Sequence, residues 1–320
     1  MYFISKFRIL LVGLIFSLVL SSYENIHKLS CRNSCDCSTS QFGVIYGGTA
    51  PERDRAQREL AQAASIFSAW TGRSAPFGVV SLRNSYAIPF LATLGSRWVL
   101  QFDETETKLV EKGLPQAIAS GGIVKLPYES KFDTYDDGDL SHEICHKYVE
   151  QLALSIDAPK AVPDMVNEAA AISCEPPQAR ARQLSSYYLG GRQDFSAADL
   201  FTARNPLSIN QDILQGAGLP VRNNESHTVS FLIEPASGLS RDVAAYYYKS
   251  AALQEYLRHA GSPGLAAIGR LIIASANGVT LHDWLSSEHS NGLTENEAGF
   301  SRAVNAVAAS SLAGNVSPRL

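Results

Sequence analysis

The chain of 320 residues has a formal net charge of −4. It carries no Lys/Arg-rich run and no basic stripe, which argues against a nucleic-acid partner. No internal repeat is visible, so the chain does not read as a stacked array. After the first twenty residues, no apolar run approaches transmembrane length. The aspartates between Asp133 and Asp139 lack EF-hand spacing and its closing glutamate, which leaves a solvated turn leading to a helix N-cap rather than a calcium loop. Aromatic and apolar content is ordinary for a globular protein.

What is present begins with the N-terminus. Lys6 and Arg8 precede the apolar run Ile9 to Leu20, followed by Ser21 and Ser22. This is the layout of a secretory signal peptide over residues 1–22. An uncleaved N-terminal anchor is the alternative, and no other membrane contact is expected. The expected locations are the secreted fraction, the periplasm or the cell envelope. Cys31, Cys35 and Cys37 cluster just beyond the leader, while Cys145 and Cys174 lie far downstream. An exported chain meets conditions in which disulfides form. Residues 23–40 read as a polar, flexible, partly oxidised segment. Metal binding by the three clustered thiols, or a lipid on Cys31, are the weighed alternatives.

From there the pattern is α+β. Strands are expected at 42–46, 77–82, 85–94 and 97–102. A long helix opens at Pro51 and ends at Gly72, and a short one is expected near 104–112. Residues 121–127 read as an edge strand that can bind extended peptide or simply close the sheet. From Pro163 the chain reads as mainly helical, with long helices at 241–260, 263–276 and 294–312. The expected division is an α/β subdomain over 41–160 and a helical subdomain over 161–320, with a metal cleft between them.

Within Ser141-His142-Glu143-Ile144-Cys145-His146 stands His-Glu-x-x-His. On a helix, residues four apart share a face. His142 and His146 can therefore present two imidazoles to one ion, and Glu143 can act on water there without being a ligand. With seven histidines in the chain, chance gives this pattern in about one such chain in a hundred. Downstream, Pro163 opens a second helix with Asn167 and Glu168 in its first turns. Catalytic zinc usually takes three protein ligands and keeps a fourth position open. Glu168 is the candidate third ligand, and Asn167 can orient one. His259, His282 and His289 read as surface or packing residues, while His227 lies in a polar stretch that can form a substrate-side loop.

These motifs resemble those of the gluzincins, zinc metallopeptidases with His-Glu-x-x-His on one helix and a ligand glutamate on the next. Asn167-Glu168-Ala169-Ala170-Ala171 is similar to the family's Asn-Glu-Gly-x-Ala, and Tyr247-Tyr248-Lys249-Ser250-Ala251 to the Tyr-x-Lys-Gly-Ala of aminopeptidase-N-like enzymes. The resemblance runs from about Gly121 to Trp284. It implies a zincin-like fold, Zn²⁺ on His142, His146 and Glu168, Glu143 as general base and Tyr247 as a transition-state hydrogen-bond donor. The Gly-x-Met-Glu-Asn signature that holds a free amine is absent, which favours an endopeptidase acting on peptide or protein. The competing expectations are a zincin-fold envelope binding protein without turnover and a zinc amidase acting on cell-wall material.

Overall fold

The computed structural model describes residues 37–82, 97–102, 138–191, 193–206, 238–259, 264–294 and 296–315. They form an α+β chain, as expected. It divides into two compact units, Met1–Arg58 with Pro76–Glu104, and Glu59–Ala75 with Thr105–Leu320.

The first unit is built on a four-stranded sheet in the order β1-β2-β3-β4. The strands are β1 (Cys37–Thr39), β2 (Gly43–Tyr46), β3 (Gly78–Leu82) and β4 (Trp98–Phe102). β1 runs antiparallel to β2, and the remaining pairs are parallel. Helix α1 (Ala50–Thr71) joins β2 to β3, as a parallel pair requires. Buried Val44, Ile45, Val79 and Val80 make β2 and β3 continuous apolar runs, the mark of a strand covered on both faces. Gly78 faces Trp98 across the sheet. A Cβ at Gly78 would lie 2.0 Å from the Trp98 ring, so only glycine lets the indole lie over the strand. The Trp98 Nε1–H donates to Pro76 O at 3.0 Å.

One expectation changes here. Residues 37–39, expected within the flexible segment, form β1 and pair with Val44 to Tyr46. The alternation that marks a strand cannot be read over three residues.

The second unit holds the rest of α1 and the helices α2 (Asp139–Ser155), α3 (Asp164–Ser173), α4 (Pro177–Gly191), α5 (Gly238–His259), α6 (Gly264–Ala276), α7 (Leu281–Glu288) and α8 (Glu297–Asn315). Short 3₁₀ turns stand at Ala197–Asp199 and His289–Asn291. Helix α5 is central and packs against α3, α4, α6 and α8. Trp284, Tyr148, Tyr248 and Phe300 are the largest fully buried side chains.

Helix α2 buries Leu140, Ile144, Tyr148 and Leu152, with Ser141, Cys145 and Val149 beside them. That stripe has the spacing of a core-facing helix. It leaves His142, Glu143, His146 and Lys147 half-buried on another face. Helix α1 supports it from behind, with the Phe67 and Tyr148 rings 5.0 Å apart. Strands expected at 85–94 and 121–127, the helix near 104–112, the leader, Cys31, Cys35 and His227 lie outside the described residues. Among the described residues, no helix is long and apolar enough to cross a membrane.

Candidate metal centre

All three candidate ligands lie in the second unit, and their side chains converge. His142 Nε2 is 3.1 Å from His146 Nε2. Glu168 Oε1 stands 3.3 Å from His142 Nε2, and Glu168 Oε2 3.8 Å from His146 Nε2. Two ligands at 2.0–2.1 Å on a tetrahedral zinc are themselves about 3.3 Å apart. The observed separations bracket that value. Among the described residues this is the only group of three or more His, Cys, Asp or Glu side chains so arranged.

The hydrogen bonds behind the ligands fix which atoms face inward. His142 Nδ1 meets Glu175 Oε1 at 2.7 Å, and His146 Nδ1 meets Asn167 Oδ1 at 3.0 Å. A carboxylate and an amide oxygen only accept, so each Nδ1 carries the proton and donates. When both imidazoles are neutral, each Nε2 presents a lone pair toward the other and toward Glu168. Glu168 Oε1 is buried, 3.3 Å from His142 Nε2. Three electron-rich atoms pointing at one spot repel one another unless a cation lies between them. The donor set, two imidazoles and a carboxylate with hydrogen-bonded outer partners, suits zinc.

The titration of the ligands has the same origin. Burial alone would push the His142 imidazole down. The adjoining carboxylates of Glu168 and Glu175 outweigh it and hold its pKa well above the usual range. Burial would likewise raise the Glu168 carboxyl, yet His142 and His146 hold it below its ordinary value. Without metal, a proton on His142 supplies the positive charge that the cluster needs.

Glu175 and the disulfide beside it were not read from the sequence. Cys145 and Cys174 form a disulfide with Cα atoms 6.4 Å apart. It ties α2, between its two histidines, to the residue just before Glu175. Both cysteines are fully buried. The clue was the placement of one cysteine inside His-Glu-x-x-His and another past the glutamate helix, since helices sharing an ion bring those positions together. Nothing in the sequence marks Glu175 itself.

The approach of Glu175 to His142 depends on Gly138, the N-cap of α2. Its φ is +119°, and a Cβ there would lie 2.5 Å from Pro176 Cδ. Side chains rarely adopt that φ. From α1, Glu59 Oε2 accepts from Ser141 N at 3.1 Å and Gln62 Nε2 donates to Cys174 O at 2.6 Å. A carboxylate at a helix start also opposes the helix dipole favourably. The Arg180 guanidinium, on α4, donates to Glu175 O.

Glu143 is half-buried on the face that carries the histidines. Tyr247 is half-buried, its ring edge-on to Tyr246 with centroids 5.5 Å apart. Tyr246 and Tyr248 are buried. Burial pushes the Tyr246 phenol upward, and the carboxylates of Glu168 and Asp164 push it further. Tyr246 is thus a neutral donor in the field of a candidate ligand. His259, His282 and His289 are exposed and stand outside the cluster.

No family model, no curated protein and no solved structure matches the chain.

Proposed function

We propose that the chain is an exported, zinc-dependent hydrolase of peptide bonds, with a gluzincin-like centre on a zincin-like fold. The observation carrying this reading is the convergence of the His142, His146 and Glu168 ligand atoms, all within 4.8 Å of one another. The buried disulfide agrees with folding in an oxidising compartment.

Zinc on these residues would supply a Lewis acid, polarising the scissile carbonyl and acidifying the attacking water. The protein's own groups do the rest. His142 and His146 keep their lone pairs inward because Glu175 and Asn167 hold their Nδ1 protons. Glu143 takes the proton of the attacking water and delivers it to the leaving amine. A tyrosine of α5 donates to the developing oxyanion. Tyr247 is the residue that the motif resemblance selects. Tyr246 is its competitor, because its hydroxyl feels the Glu168 carboxylate.

The test is Glu143→Gln in the zinc-loaded protein, assayed on a mixed peptide library. Zinc content should be unchanged, and hydrolysis should fall by about 10²- to 10⁴-fold. Full activity in this variant would overturn the mechanism. Zinc held without any turnover in the parent protein would favour a binding protein. Tyr247→Phe and Tyr246→Phe then assign the donor, since the correct one should lower kcat by about 10²- to 10³-fold with little change in substrate binding.

A further inference from the structure

Three tyrosines stand in a row on α5, and their neighbours separate them. The Tyr248 ring packs on Tyr188 of α4, with centroids 6.0 Å apart. Side chains two residues apart on a helix point about 160° away from each other. Tyr246 therefore points away from that contact, and α5 also packs against α3. Tyr246 is 5 % exposed, and its hydroxyl makes no hydrogen bond of ordinary geometry among the described residues. Ser250 Oγ lies beside the phenol, but its own proton goes to Tyr246 O at 3.1 Å. A buried donor left in this way is costly.

Burial raises the Tyr246 pKa first, and the charges of Glu168 and Asp164 add to it. These two carboxylates stand four residues apart on α3 and so share one face. Asp164 Oδ2 already accepts from Asn205 N at 2.8 Å. Glu168 is buried beside the two histidines. Both imidazoles direct their Nδ1 protons outward, to Glu175 and Asn167. An imidazole that binds an ion through Nε2 has no second proton to give. A four-coordinate ion with one position open takes one oxygen from Glu168. The other oxygen is then a buried anionic acceptor, which is costly without a donor.

We infer that Tyr246 is a positioning residue of the metal centre, its hydroxyl donating to the Glu168 oxygen that the ion does not take. The inference rests on the zinc reading of the cluster and gives Tyr246 a role distinct from the oxyanion donor. A donor without an acceptor and an acceptor without a donor meet where α5 packs on α3. Such outer partners hold a ligand in one orientation. Losing the bond therefore weakens metal binding rather than slowing the loaded protein.

Three measurements on the full chain test this. In competition with a chelator, Tyr246→Phe should bind zinc about 10- to 100-fold more weakly than the parent. Tyr248→Phe, altered at another buried tyrosine of α5, should bind it with parental affinity. Without metal, Tyr246→Phe should melt no lower than the parent, because the hydroxyl it loses has no good partner there. A merely structural tyrosine would lower the melting temperature with or without zinc. The ultraviolet resonance Raman bands of tyrosine report whether a phenol donates. Adding zinc to the parent should turn one of its 13 tyrosines into a strong donor, and that change should be missing from Tyr246→Phe. Parental zinc affinity in Tyr246→Phe, or the same Raman change in both proteins, would overturn the inference. So would a Tyr246 phenol that already donates to Ser250 without zinc. A lowered kcat with parental zinc affinity would also overturn it, and would make Tyr246 the oxyanion donor. Zinc binding that depends on Tyr246 without peptide cleavage by the parent would remove the hydrolytic reading alone. A parent that binds no zinc would remove the metal reading, and this inference with it.

Discussion

The two units bury charge in different ways. In the sheet unit, two buried charges each have a partner close in sequence. Glu52 accepts from Thr49 N, and Arg53 Nη1 donates to Gly47 O at 3.3 Å. Those partners lie within six residues, and the surrounding core of Val44, Tyr46 and Val79 is apolar. In the helical unit, buried Glu168 and Glu175 answer to His142, 26 and 33 residues away in sequence. A buried carboxylate is costly unless it is paired and hydrogen-bonded. Glu52 and Arg53 each find a partner within six residues, while Glu168 and Glu175 find His142 only when separate segments are brought together. The first solution serves folding. The second leaves three electron-rich atoms facing one point.

If long-range clamping is what separates the two, the disulfide should matter most. Cys145 and Cys174 are 29 residues apart. Closing a loop of that length stabilises by roughly 3.5 kcal/mol in the chain-entropy model. Cys145→Ser with Cys174→Ser should lower denaturant stability by about that amount and also weaken zinc affinity. Unchanged zinc affinity would show that packing alone positions Glu175.

The contrasting variant is Ile45→Ala in the sheet. Ile45 is fully buried, so about 2–5 kcal/mol of stability should be lost through the cavity. The folded fraction should bind zinc with parental affinity. A drop in zinc affinity of the folded protein would break the proposed separation of roles.

Glu175→Ala sharpens the comparison within the helical unit. Losing an outer partner of a metal-ligating histidine typically costs about 10- to 100-fold in metal affinity, which titration against a chelator would read. Asn167→Ala should cost less, because a neutral amide holds His146 where a carboxylate holds His142.

The ligand cluster should also give the metal-free protein a defined pH dependence. The raised His142 pKa contributes stability that is complete below its unfolded value near 6.5, and that is lost as pH rises through the folded value. The lowered Glu168 pKa contributes stability that is present above its unfolded value and is lost as pH falls through the folded one. On the zinc reading, the ion would take the place of the His142 proton. The stabilisation on adding zinc should then grow as pH rises above 6.5, by no more than about 1.4 kcal/mol per pH unit for one proton. A constant gain across that range would mean that His142 carries no extra proton in the metal-free state.

The smallest effect is expected at Asp157. After α2 ends, Asp157 N donates to Leu154 O at 3.2 Å and Ala158 N to Ala153 O at 3.1 Å. This is the hydrogen-bond pattern of a helix ending in a left-handed residue, where glycine is usual. Asp157 holds that place with φ 50°. Asp157→Gly should stabilise by about 0.5–1 kcal/mol. A loss instead would mean that the Asp157 side chain contributes more than its backbone strain costs.

Local signals carried much of this protein in its sequence. Hydrophobic periodicity and the Pro163 start give α2 and α3 to within a residue or two, because both are properties of a single turn of chain. The spacing of His142 and His146 alone puts two imidazoles on one face. Glycine after α1 and the apolar runs of β2 and β3 were equally legible. The pairing of residues 37–39 with β2, Glu175 behind His142 and the Cys145–Cys174 bond were not. Each joins positions that no short window contains. Burial and charge pairing are settled when separate elements meet, so these features belong to the tertiary structure.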